Sequence, residues 1–142
     1  MSAAARERMK YSRRGFPRIL DAVSRLRNRR LPNCYPKYVF GWAINGEELG
    51  RISDELFGLD APSHTIITYY CSRWRERADA RFKFKHTLYT NVETMANDML
   101  FYITSNETEE DLARAMDEDF VKMAMEVLQT EEKGRWFHFD LF

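Results

Sequence analysis

The stretch at residues 63–88, SHTIITYYCSRWRERADARFKFKHTL, changes hydrophobic period part-way along. In its first part Ile67, Tyr70, Cys71, Trp74 and Ala78 fall on one helical face, and Thr65, Thr68, Ser72, Arg75, Glu76 and Asp79 fall opposite. After Arg81 the repeat becomes two. Phe82, Phe84, His86 and Leu88 alternate with Lys83, Lys85, Thr87 and Tyr89, the pattern of a half-buried strand. A helix that hands over directly to a strand points to a mixed fold, and the aromatic and basic side chains of both mark the middle of a small core and a candidate binding face.

Before this stretch, Phe16, Ile19, Leu20, Val23 and Leu26 form a stripe opposite Arg14, Arg18, Asp21, Arg25 and Arg29. With Pro17 suited to a first helical turn, the spacing predicts a basic amphipathic helix over residues 17–29. The run LPNCYP reads as a turn. Residues 37–44 follow as a strand whose two sides are both apolar or small, which suits a strand covered on both faces. Asn45, with Glu48 three residues on, predicts a helix start, and Gly58 predicts its end.

Beyond the stretch, Val92, Met95, Ala96, Met99, Leu100 and Ile103 recur at intervals of three and four and predict another helix. Thr108 with Asp111 resembles a capping box for a helix whose stripe runs from Leu112 to Leu128. The tail alternates again, with Phe137, Phe139 and Leu141 against His138 and Asp140, and is expected either to add a strand or to dock into a partner. The order is α, β, α, α, β, α, α, β. It predicts an α+β fold: a predominantly helical single domain over residues 15–142, with a small sheet of about three short strands. A basic N-terminal arm over residues 1–14 would precede it. At 142 residues the chain is long enough for one domain with a sizeable core.

The formal net charge of zero hides an uneven distribution. Residues 1–37 hold eleven Lys or Arg against two acids, a balance of +9, and residues 38–142 hold eleven against twenty, a balance of −9. A basic segment of this kind seeks phosphate, anionic lipid or an acidic protein surface, or lies on the chain's own acidic part. Two cysteines, Cys34 and Cys71, make no disulfide framework, and a reducing intracellular compartment is the expectation. No stretch has the length and apolarity of a transmembrane segment.

No catalytic motif emerges. There is no Gly-rich phosphate loop, nucleophile elbow or dinucleotide fingerprint, and Cys34, Cys71, His64, His86 and His138 are scattered without zinc spacing. No enzyme activity, cofactor or metal is therefore expected. The two helices around residues 46–57 and 63–80 invite comparison with a helix-turn-helix, but acids on the first would sit near the nucleic-acid backbone. Phe82 and Phe84 could stack on bases, although core packing is the stronger expectation.

The function expected is non-enzymatic binding of a polyanion, nucleic acid ahead of an acidic protein surface. Arg13, Arg14, Arg18, Arg25, Arg29 and Arg30 are the main candidates for phosphate or carboxylate contacts, with Arg73, Arg75, Arg77, Lys83 and Lys85 as a second patch. The alternative is a small structural or adaptor subunit of a larger assembly, docking through the basic arm and the aromatic tail.

Overall fold

The structure, a computed structural model, describes residues 2–4, 10–11, 16–23, 37–79, 82–91 and 96–139. Among these the chain forms β1 (Ile19–Leu20), β2 (Tyr38–Asn45), α1 (Gly46–Phe57), α2 (Thr65–Arg77), β3 (Lys85–Thr90), β4 (Asn97–Ser105), α3 (Glu109–Met116), α4 (Glu118–Leu128) and β5 (Arg135–His138). The strands make one sheet in the order β1-β5-β2-β4-β3, and every neighbouring pair is antiparallel.

This overturns the expectation of a mainly helical domain with three short strands. Two segments read as helices are strands. Residues 97–105 form β4, paired to β2 on one side and β3 on the other. The unbroken apolar run Met99–Ile103 satisfies a helical and an extended period equally well, so spacing could not separate them. Burial on both faces decides it: Phe101 (0 % exposed) lies in the helix-side core and Leu100 (2 %) in a separate cluster. Ile19 and Leu20, expected within a helix, pair instead with Phe137 and Trp136. Pro17, Arg18 and residues 21–23 are not helical either, while residues 24–29 of that expected helix, and the turn at residues 31–36, lie outside the described residues.

The local signals elsewhere have physical counterparts. Asn45 Oδ1 accepts the Glu47 amide at 2.7 Å and opens α1, which Gly58 closes at φ 90°. Thr108 Oγ1 accepts the Asp111 amide at 3.0 Å and opens α3. The single helix expected after Thr108 breaks at Asp117, whose Oδ1 accepts the amides of Asp119 and Phe120 and starts α4. The tail contributes β5 to the sheet interior, so Trp136 and Phe137 are buried.

One face of the sheet presents Tyr38, Phe40, Trp42, Phe101 and Trp136 to a layer of helices, which contribute Leu49, Ile66, Tyr70, Trp74, Phe120, Ala124, Val127 and Leu128. A smaller cluster of Val39, Leu100 and Phe137, with Tyr89 and Tyr102 against it, occupies the other face. The two central strands approach closely where register shifts between Phe40 and Gly41. A Cβ at Gly41 would stand 1.9 Å from the Phe101 carbonyl oxygen, so only glycine fits. Three buried aromatics tie loops to this core. Tyr38 Oη donates to the Pro17 carbonyl at 2.6 Å, Trp42 Nε1 to that of Glu132 at 2.9 Å, and Trp74 Nε1 to that of Phe82 at 2.9 Å.

Candidate functional site

A cleft of about 490 Å³ opens between α2 and the segment leading into β3, lined by Cys71, Trp74, Arg75, Ala78, Asp79, Phe82 and Phe84. Its walls follow from the period change in the sequence. Trp74 closes the inner face of α2, and the Trp74 Nε1 bond to the Phe82 carbonyl folds the connecting segment back against that helix. Phe84 stacks on Trp74 (5.3 Å between ring centroids, 25° between planes) and on Phe101 (5.6 Å, 20°). Phe82 meets Phe120 edge-on at 5.0 Å and carries the Arg114 guanidinium 4.9 Å from its ring centroid.

These contacts settle the role of the two phenylalanines. Phe84 stacks on Trp74 and Phe101, Phe82 is engaged by Phe120 and Arg114, and both rings pack, partly buried, against the helix-side core. Core packing, the stronger expectation, is what the structure has. Burial pushes the Cys71 thiol upward, an effect that the Arg75 charge only partly opposes.

The second cationic patch divides on α2. Arg73 donates from Nη2 to the Glu126 carbonyl at 3.1 Å and from Nη1 to Tyr69 Oη at 3.3 Å, with its guanidinium 5.5 Å from the Tyr69 ring centroid. Arg77 forms a 2.8 Å ion pair with the Glu126 carboxylate. Both therefore join α2 to α4. The side chains of Arg75, Lys83 and Lys85 are exposed and form no hydrogen bond or ion pair among the described residues. Arg75 lines the cleft, and the two lysines lie in the segment that forms its far wall and runs into β3.

Of the N-terminal candidates, Arg18 is described. Its Nε donates to the Tyr11 carbonyl at 3.3 Å, and Tyr11 forms an isolated bridge with Pro17. Arg13, Arg14, Arg25, Arg29 and Arg30 lie outside the described residues. The first helix of the imagined helix-turn-helix has its basic residue, Arg51, held by Glu48 and Glu55. This partnership raises the Arg51 guanidinium further and lowers the Glu48 carboxyl, chiefly through their mutual hydrogen bond.

Sequence reasoning missed a polar pair on the other sheet face. Tyr89 and Asp98 stand directly opposite across β3 and β4. Asp98 (4 % exposed) accepts from Asn91 Nδ2 on Oδ2 at 3.1 Å, while its Oδ1 and the Tyr89 hydroxyl are buried and make no hydrogen bond among the described residues. With residues 92–103 read as a helix, no cross-strand pair exists to be found. Among the described residues, no group of three or more His, Cys, Asp or Glu could hold a metal ion, and no helix is long and apolar enough to cross a membrane.

The chain matches no protein-family model, and neither a curated protein nor a solved structure matches it.

Proposed function

We infer that this is a non-enzymatic binding protein that engages a polyanion, with nucleic acid as the partner. The observation that carries this reading is that the side chains of Arg75, Lys83 and Lys85 are exposed cations left unpaired among the described residues, Arg75 on the cleft and the two lysines on the segment that carries Phe82 and Phe84. A cation without an internal partner gives up least when it meets a phosphate, and the counterions released drive association. The basic first part of the chain, at +9 over residues 1–37, would extend the same contact. Because the rings of Phe82 and Phe84 are engaged, the contact reads phosphates rather than bases and tolerates sequence.

A second reading, a subunit of a larger assembly, draws on a different observation. Leu56, Phe57 and Leu59 (84 % exposed) lie close together at the end of α1 and in the turn after it. An exposed apolar group of this kind suits a protein partner. Of the aromatic tail, Trp136 and Phe137 lie in the sheet interior, and residues 140–142 lie outside the described residues.

The test is binding of the full-length protein to labelled single-stranded RNA, single-stranded DNA and duplex DNA across a salt series. The full chain is required, because β1 and the carbonyl that holds Tyr38 both lie within its first 20 residues. Three phosphate contacts predict that log K falls with a slope of about −2 to −3 against log salt, steeper if the N-terminal segment adds contacts. Affinity should change little between sequences. Absence of binding at modest salt, or binding insensitive to salt, would overturn the proposal.

A further inference from the structure

We propose that β3 is a self-association surface through which two copies of the chain pair edge to edge into one continuous antiparallel sheet. The inference is independent of polyanion binding and begins with hydrogen-bond alternation. The Asn91 amide donates to the Ala96 carbonyl at 2.9 Å, at the closed end of the β3–β4 hairpin. The β3–β4 register then runs without a break through the six pairs from Thr90↔Asn97 to Lys85↔Tyr102. Hydrogen-bonded and non-bonded pairs alternate along an antiparallel ladder. Counting back from Asn91, the bonded positions are Tyr89, Thr87 and Lys85. His86, Leu88 and Thr90 therefore turn their amides and carbonyls away from β4, off the end of the sheet.

The sheet has no described strand beyond β3. Edge strands are usually guarded by a charge, a proline, a bulge or by being very short. The opposite edge, β1, is two residues long. β3 has six, and its one charged residue, Lys85, stands at its beginning, with Lys83 two residues before it. From His86 to Thr90 there is no Lys, Arg, Asp, Glu, Pro or Gly. Leu88, whose backbone faces outward, is 67 % exposed and is the most exposed large apolar residue in any strand.

A second copy of β3 fits this edge by its own symmetry. With a two-fold axis through Leu88, His86 lies opposite Thr90 of the other copy, Leu88 opposite Leu88, and Thr90 opposite His86. All three outward-facing residues of each strand then lie in bonded positions, giving six backbone hydrogen bonds. The two Leu88 side chains cover one another on the same sheet face. Each Lys85 lies past the other copy's Thr90, so the two ammonium groups are separated by about six residues of strand, or about 20 Å. This exceeds the screening length at physiological salt. The register thus satisfies the free backbone, covers the exposed leucine and keeps like charges apart.

The experiment combines sedimentation of the full-length protein over a concentration series with site-resolved amide exchange. The expected result is a species of twice 16.9 kDa that dissociates on dilution. Its Leu88 and Thr90 amides should be protected at high concentration and lose at least about tenfold of that protection on dilution, while Thr87 and Tyr89 stay protected throughout. Leu88→Pro removes an amide that the monomer's own ladder does not use, and Leu88→Lys sets two ammonium groups face to face. Both variants should sediment as monomers. A wild-type chain that remains monomeric, a dimer that withstands both substitutions, or even-numbered amides whose exchange ignores concentration would each overturn the proposal. The exchange measurement on wild type decides the matter even where a variant fails to fold.

Discussion

Arg73 and Arg77 differ from Arg75 by only two residues along α2, yet their fates are opposite. The first two point across to α4, where Glu126 takes one through its carbonyl and the other through its carboxylate. Arg75, rotated round the helix, opens onto the cleft beside Cys71 and Ala78 and is left unpaired among the described residues. A helix advances 100° per residue, so neighbouring identical side chains meet different surroundings. Basic residues counted in a sequence therefore overstate a binding patch, because the fold consumes part of the charge. What remains for a partner is the subset on the outward rotation.

The comparison breaks most completely when the shared support is removed. Trp74 holds both sides of α2 in place, by stacking on Phe84, by its edge contact with Phe120 and by its bond to the Phe82 carbonyl. Trp74→Ala should cost about 3–5 kcal/mol, read as a lowered urea midpoint with the baseline fold retained or lost. A change below about 1 kcal/mol would mean that the helix is anchored elsewhere.

Neutralising the inward pair, Arg73→Gln with Arg77→Gln, should cost much less. The Arg77–Glu126 pair is partly exposed, and such pairs contribute about 1 kcal/mol or less. Denaturation of the double variant should show a loss of about 1 kcal/mol, with the Arg73 contacts to Tyr69 included. The outward residue sharpens the contrast from the other side, since Arg75→Gln should leave stability within about 0.5 kcal/mol of wild type.

Tyr70, on the buried face of α2, offers a comparison by pH. Its hydroxyl is fully buried without a hydrogen bond among the described residues, and burial pushes its pKa from 10.0 up to about 12, with Tyr69 adding to the rise. The folded state thus favours the protonated phenol. That contribution is complete below pH 10 and is lost as the pH rises toward 12. Tyr70→Phe should lose less stability than wild type between those pH values and differ little at neutral pH. Identical alkaline profiles would show that Tyr70 ionises without cost.

The sequence was most legible where chemistry is local. Asn45, Gly58 and Thr108 each perform the helix-terminating or helix-starting role that their side chains suit, and the strand at residues 38–45 carries the double-sided apolar pattern of an interior position. It was least legible where the pattern fits two periods. Met99–Ile103 is apolar throughout, and only pairing with β2 and β3 makes it a strand. Leu88 failed for another reason. Its alternation with Phe82 and Phe84 placed it inside, but it lies on an edge strand and is mostly exposed. Of the candidate site, the cations were visible as residue types. Which of them the fold would pair was not, because Glu126 lies 49 positions from Arg77.

The most direct test of the central claim sets the two groups of cations against each other. Full-length Arg75→Gln/Lys83→Gln/Lys85→Gln and full-length Arg73→Gln/Arg77→Gln would be titrated with the same labelled single-stranded RNA at one salt concentration. The account predicts a loss on the order of tenfold or more for the outward triple variant and a change within about twofold for the inward double variant. Equal losses, or a larger loss for the inward pair, would contradict it.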